Sequence, residues 1–170
     1  MNLASYIHDV PDFPAPGILF KDLTPLLASP DATAFAAKQL FDNCQDLQID
    51  KVVGIESRGF FFGLLLAQQL GVGFVPIRKP GKLPRDTEQV CYALEYGEDS
   101  ITVHREDIQP GERVLIHDDV LATGGTAQAA SQLIEKLGGE VVQLNFLIEL
   151  TALQGRSKLQ ERSITTLLSY

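Results

Sequence analysis

The chain has 170 residues, of which 45% are hydrophobic and 21% charged, as is usual for one globular domain with a sizeable core. Its net charge of -8 argues against a nucleic-acid-binding protein, because phosphate backbones are bound by clustered lysine and arginine. The longest apolar stretch, residues 60–67, is too short to span a membrane, and the N-terminus lacks a secretory signal pattern. Cys44 and Cys91 form neither a disulfide framework nor a metal-ligand spacing, so we expect reduced thiols and a cytoplasmic protein.

The first 30 residues differ in composition from the rest of the chain. They carry prolines at positions 11, 14, 16, 25 and 30, each of which fixes φ and removes a backbone donor. This predicts a structured, extended arm with little regular helix. Ser29-Pro30-Asp31 is typical of a helix start, and we expect that helix to run to about Asn43.

Strands and helices then alternate along the chain. Hydrophobic runs predict strands at 52–55 and 74–77, from 114, and at 141–150; helical periodicity predicts helices at 60–70 and 126–137, each followed by glycine. Residues 78–90 are expected to form a polar loop, and 91–96 and 100–104 a β-hairpin. The order predicts a single α/β domain with a mainly parallel central sheet flanked by helices. Ligands of such sheets bind beyond the carboxyl ends of the strands.

The most informative stretch is residues 114–127, in which a buried strand leads to two adjacent acids and a Thr-Gly-Gly-Thr turn that opens a helix. Helix N-termini bind phosphate, and glycine lets the backbone approach the anion; we expect Gly125 to need this freedom. Since Asp118 and Asp119 would repel phosphate, they suit the hydroxyl donors of a ribose diol. The segment therefore predicts a site for a phosphorylated sugar; the alternative is a turn whose acids only cap the helix.

Basic side chains follow two other predicted strands. Arg58 lies in Glu56-Ser57-Arg58-Gly59, and Arg78, Lys79, Lys82 and Arg85 fall within eight residues. These side chains could neutralise a departing pyrophosphate. Alternatively, Arg58 could cap a helix or lie at the surface, and the other four could form the solvated face of a loop.

These motifs resemble the type I phosphoribosyltransferase family. Residues 114–127 are similar to its phosphoribosyl pyrophosphate signature, and the resemblance covers nearly the whole chain. The further pieces resemble the members that use adenine; they are 13–22, 56–60, 78–84, 94–97 and 149–156. Lys21, where arginine is usual, and His117, where an apolar residue is usual, depart from the family pattern. His117 could pack in the core or contact a ligand.

The resemblance implies a fold with a small N-terminal hood over residues 1–30 and a flexible lid over 78–104. It implies conversion of adenine and phosphoribosyl pyrophosphate to AMP and pyrophosphate in purine salvage, by a homodimer. Pyrophosphate further suggests Mg²⁺, held by ligand oxygens and water with no direct protein ligand.

The resemblance also assigns roles to individual residues. The 5′-phosphate and ribose would be bound by residues of the signature: Asp118, Asp119, Ala122, Thr123, Gly124, Gly125 and Thr126. Ser57, Arg58 and Lys82 would contact pyrophosphate, with an unusual peptide near Ser57. Leu19, Phe20 and Lys21 would bind adenine, mainly through backbone groups and the Phe20 ring. Glu95 and Arg58 would be catalytic, with Glu95 near the purine on a lid that excludes water.

The sequence is also compatible with other roles for Glu95 and for the whole chain. A glutamate on a hairpin could simply support that hairpin at the surface. The acceptor could be hypoxanthine, guanine or orotate, although the proline-rich arm and Glu95 argue for adenine. A non-enzymatic sensor of the activated sugar would need a nucleic-acid-binding surface, which a short acidic chain does not suggest.

Overall fold

The structure is a computed structural model, and it describes residues 1–93 and 98–170. The chain divides into two compact units, Met1–Gln39 and Leu40–Tyr170. No helix among the described residues is long and apolar enough to cross a membrane.

The first unit contains a short hairpin and short helices. A 3₁₀ helix, Leu3–Tyr6, precedes strands β1 (His8–Pro11) and β2 (Leu19–Asp22), which pair antiparallel. Helix α1 is Thr24–Ala28, and α2, Pro30–Asp42, continues into the second unit. The predicted extended arm is thus a hairpin followed by one helical turn. The predicted helix start is confirmed, since Ser29 Oγ accepts a hydrogen bond of 3.3 Å from the Ala32 N–H.

The second unit is built on a parallel sheet. Five strands among the described residues form it in the order β4 (Gly73–Ile77), β3 (Lys51–Ile55), β7 (Arg113–Leu121), β8 (Glu140–Glu149) and β9 (Ile164–Ser169). Helix α3 (Gly59–Leu70) packs on β3 and β7, and α4 (Gly125–Lys136) packs on β7 and β8. The α/β architecture expected from the sequence is confirmed. Val53, Ile116, Leu133 and Phe146 are among the buried side chains of its core.

Two boundaries and one strand differ from the expectations. The antiparallel hairpin of β5 (Thr87–Ala93) and β6 (Glu98–His104) begins within the residues predicted as loop, because the three consecutive polar residues 87–89 give no alternating hydrophobic pattern. Strand β7 continues to Leu121, beyond the acids predicted to lie after its end. Strand β9 was not predicted; its burial is only partial, which gives a weak pattern.

Candidate functional site

The two adjacent acids lie near the end of β7. Successive strand residues face opposite sides, so their environments differ. Asp118 is half-buried and lines a pocket, whereas Asp119 is only 3% exposed. An oxygen of the Asp119 carboxylate lies 2.9 Å from Arg58 Nε, at the start of α3. Asp118 Oδ1 accepts a hydrogen bond of 2.9 Å from the Asp119 backbone N–H.

Both carboxyl groups bind protons more readily than free aspartate. Burial raises the pKa of Asp118, and the neighbouring charge of Asp119 raises it further. Burial also raises the pKa of Asp119, against the opposing effect of the Arg58 guanidinium. An ionised pair held in this way gains from hydroxyl donors or positive charge placed beside it. This suits a sugar diol and a cationic ribose ring better than an anion.

The pocket continues from Asp118 into the turn between β7 and α4. Its lining consists of Asp118, residues 120–127 and Phe146. The first turn of α4 offers N–H groups that have no partner within the helix, and these can bind an anion. The five predicted phosphate-loop residues, 122–126, therefore share one pocket with Asp118.

The glycine that needs conformational freedom is Gly124, whereas the sequence suggested Gly125. Gly124 caps α4 at φ +78°, in the left-handed region, while Gly125 is already the first helical residue. A side chain on Gly124 would also overlap the carbonyl oxygen of Gly155. Sequence alone could not distinguish two adjacent glycines, because the distinction depends on where the helix begins.

A second pocket adjoins the first, since Asp118 and Thr126 line both. Its other lining residues are Ile55, Glu56, Lys79, Tyr92, Asp99 and Ile101. Glu56 accepts hydrogen bonds from Arg78 at 3.1 and 3.2 Å, and these hold the pKa of its carboxyl below the usual value. The peptide that follows, Glu56–Ser57, is cis, in agreement with the unusual peptide expected near Ser57.

The four basic residues after β4 do not act as one cluster. Arg78 is bound to Glu56, Lys79 to Asp99, and Arg85 to Glu106 and Asp107. Lys82 is exposed and forms no ion pair among the described residues, which leaves it available to a ligand. Arg78 Nη1 donates a hydrogen bond of 3.3 Å to the Lys82 carbonyl and so fixes the position of this loop.

Tyr92 connects the hairpin to the phosphate loop, a role that the sequence did not suggest. Thr126 Oγ1 donates a hydrogen bond of 3.2 Å to the Tyr92 hydroxyl, which donates one of 3.1 Å to Asp99. A tyrosine in an alternating strand carries no signal of such a contact. Glu95 lies among residues 94–97, outside the described residues.

His117 packs in the core. Its ring is fully buried, beside the ring of Phe62 and 3.0 Å from Asn145 Oδ1 through Nδ1. Burial lowers its pKa from 6.5 to about 4, so the ring is neutral at pH 7. Of the two alternatives that the sequence left open, this geometry favours core packing.

The predicted adenine-binding residues form β2 of the first unit. Leu19 is 49% exposed, and the Phe20 ring packs edge-on against Phe13 at 5.1 Å. The Lys21 amine lies 2.6 Å from a carboxylate oxygen of Asp9 on the paired strand. Replacement of arginine by lysine thus retains a cation within this hairpin.

Comparison with known proteins agrees with this geometry. The family model described as "Phosphoribosyl transferase domain" matches residues 21–166. The adenine phosphoribosyltransferase of Flavobacterium johnsoniae is 56% identical over 170 residues, covering 100% of both chains.

Solved structures of similar proteins show the same fold. That of adenine phosphoribosyltransferase from Rhodothermus marinus superimposes with a TM-score of 0.94 at 54% identity, over 99% of this chain and 96% of that one. The Saccharomyces cerevisiae enzyme, crystallised with an imino-altritol bisphosphate and adenine, has a TM-score of 0.90 at 44% identity, over 98% and 96%. This chain therefore belongs to the phosphoribosyltransferase family, among the adenine phosphoribosyltransferases.

Proposed function

We propose that this chain transfers the phosphoribosyl group of phosphoribosyl pyrophosphate to adenine, giving AMP and pyrophosphate in purine salvage. One observation carries the proposal: a single pocket joins the Asp118 carboxylate to the N-terminus of α4. A ribose 5-phosphate presents hydroxyl donors and an anion in the same order. Adenine as acceptor is supported by full-length identity to named adenine enzymes and by the yeast relative that binds adenine.

The ribose reacts at its anomeric carbon. The purine nitrogen attacks this carbon as the bond to pyrophosphate breaks, and positive charge develops on the ring. Asp118, which lines the pocket, accepts hydrogen bonds from the diol, and the negative charge of Asp118 and the buried Asp119 stabilises that ring in the transition state. Residues 122–126 hold the 5′-phosphate through backbone N–H and threonine hydroxyl groups, which fixes the anomeric carbon.

The leaving group gains negative charge as it departs. Arg58, at the start of α3, and Lys82, exposed on its loop, supply the cations that stabilise pyrophosphate, and Ser57 lies at the same strand end. We place Arg58 in two roles, since it also lies beside the Asp119 carboxylate at 2.9 Å. The same guanidinium would therefore contact both the Asp119 carboxylate and the departing pyrophosphate.

Mg²⁺ is the proposed cofactor. Mg²⁺ prefers oxygen ligands and retains bound water, so the cation would be held mainly by pyrophosphate oxygens and water. The Asp118 carboxylate lines both pockets and fits as a partner through such a water. When bound, the ion neutralises the developing charge on pyrophosphate.

The family resemblance supports roles in adenine binding for residues of β2 and for Glu95. Leu19 and Lys21 would present backbone groups to the edge of adenine, and Phe20 an apolar face. Glu95 would contact the purine nitrogens and assist proton transfer during attack.

We further propose that the protein is a homodimer in the cytoplasm. Phe61 and Leu64 are adjacent on one turn of α3 and are 49% and 58% exposed, an apolar surface suited to a second copy. Two free cysteines, one of them exposed, agree with a reducing compartment. Light scattering of the purified protein would measure its mass directly.

A base panel tests the proposed reaction. Adenine, hypoxanthine and guanine are each incubated with phosphoribosyl pyrophosphate, Mg²⁺ and the full chain, and pyrophosphate release is measured. Turnover with adenine far above the other bases is expected. Higher turnover with another base would show that this base, and not adenine, is the acceptor. Binding of the activated sugar without pyrophosphate release would indicate a sensor.

A further inference from the structure

Residues 149–159, which follow β8, lie directly behind the phosphate loop. The two strand ends are joined here, since the Leu150 N–H donates a hydrogen bond of 2.9 Å to the Leu121 carbonyl. The chain then forms two short 3₁₀ helices, Thr151–Leu153 and Gly155–Leu159. No residue of this segment contacts a substrate in the proposed reaction, although its sequence is part of the family resemblance.

Gly155 touches the loop backbone without room for a side chain. A methyl group on Gly155 would overlap the Ala122 carbonyl oxygen and lie 3.1 Å from Gly124 N and 3.0 Å from a methyl of Leu121. A methyl group on Gly124 would in turn overlap the Gly155 carbonyl oxygen. The loop is therefore set from behind by backbone packing, while its other side faces the pocket.

Arg156 fastens this segment to the ends of the sheet. Its Nε and Nη2 donate hydrogen bonds of 2.7 and 2.8 Å to the two oxygens of Glu149, the last residue of β8. Glu149 is 7% exposed and also accepts a hydrogen bond of 3.3 Å from Thr166 on β9. Arg156 Nη1 donates one of 3.4 Å to the Ile164 carbonyl. Two parallel hydrogen bonds between one guanidinium and one carboxylate fix the orientation of the Arg156 side chain as well as its distance from Glu149.

We propose that the Glu149–Arg156 pair is a positioning device for the 5′-phosphate loop. It holds the Gly155 backbone against Ala122 and Gly124, and it thereby sets the affinity for the phosphorylated end of the sugar. The inference rests on the proposed function only in assigning residues 122–126 to that phosphate. Since small displacements of a positioned group reduce its effect strongly, the pair acts on ligand binding as well as on stability.

The test compares two ligands that occupy different parts of the site. Arg156→Met keeps the length and apolar stem of the side chain but removes both hydrogen bonds to Glu149. Calorimetry of the full chain is expected to show affinity for ribose 5-phosphate falling roughly tenfold, with affinity for Mg²⁺-pyrophosphate within about twofold of wild type. Arg156→Lys keeps the charge and one donor, and it should recover part of the lost affinity.

Arg162→Met is the matched control, because Arg162 forms an equally forked pair with Glu135 on α4, at 2.8 and 3.2 Å. It should lose stability without a selective change in either affinity. Equal loss of both affinities in Arg156→Met, or unchanged ribose 5-phosphate binding in that variant, would overturn the inference. Gly155→Ala tests the same contact from the other side of the segment. It should lower the affinity for ribose 5-phosphate without a matching loss of affinity for Mg²⁺-pyrophosphate. Failure of the wild-type chain to bind ribose 5-phosphate would instead refute the proposed function.

Discussion

His117 makes the stability of this protein depend on pH in a way that one substitution can isolate. The Asn145 amide donates a hydrogen bond of 3.4 Å to the Leu40 carbonyl, so its Oδ1 faces His117 Nδ1 as an acceptor. The neutral ring therefore carries its proton on Nδ1. A second proton would go to Nε2, which is buried and has no hydrogen-bond partner among the described residues. This geometry explains why burial lowers the pKa of His117 from 6.5 to about 4.

The magnitude follows from the pKa difference. A histidine whose folded pKa is lowered supports the fold fully above the unfolded pKa of 6.5, and the support is lost as pH falls towards 4. The difference of about 2.5 corresponds to about 3 kcal/mol in total, since each pKa unit is 1.36 kcal/mol. By the same linkage relation, about 2 kcal/mol is lost between pH 7 and pH 5.

Urea unfolding of wild type and His117→Leu at pH 7 and pH 5 measures this contribution. Leucine leaves Asn145 with one partner fewer, which lowers stability at both pH values and cancels in the comparison. Wild type should lose about 2 kcal/mol more than His117→Leu between the two pH values. Replacement of the exposed His8 by glutamine is the control and should retain the wild-type difference. Equal losses in wild type and His117→Leu would refute the assignment of a buried, neutral ring.

Three further predictions concern the site itself. Asp118→Asn should lower kcat by roughly 10²-fold or more. Because burial raises the pKa of Asp118, its ionised carboxylate opposes folding at pH 7. The Tm of the variant should therefore exceed that of wild type at pH 7, and the difference should vanish at acid pH. A lower Tm at pH 7 would contradict this sign. Gly124→Ala should abolish ribose 5-phosphate binding in calorimetry, whereas Gly111→Ala, at a similar φ of +85° with open space around it, should only reduce stability; equal binding losses would remove the steric argument. Glu95→Gln should lower kcat at least roughly 30-fold with phosphoribosyl pyrophosphate affinity within about threefold; a wild-type kcat would exclude Glu95 from the mechanism.

The sequence by itself determined the fold class and the location of the candidate site. Hydrophobic runs and glycine stops are local signals, and they predicted β3, α3, β4, α4 and β8 within a residue or two. The candidate phosphate loop could be proposed from the sequence for the same reason, because its acids, glycines and threonines are contiguous between one strand and one helix. Helix α2 was equally predictable from its Ser-Pro-Asp start.

Tertiary structure decided the features that depend on residues far apart in the chain. Asp118 and Asp119 have different surroundings because β7 continues through both residues and turns their side chains to opposite faces. The partner of Asp119 is Arg58, which lies on another element. The basic residues after β4 differ in availability because each meets a different acid. Gly124 was identified as the constrained glycine only by the exact start of α4 and by the approach of Gly155, 31 positions further along the sequence. Such contacts leave no local pattern, since strand and helix periodicity records only whether a side chain is buried and says nothing about which partner it meets.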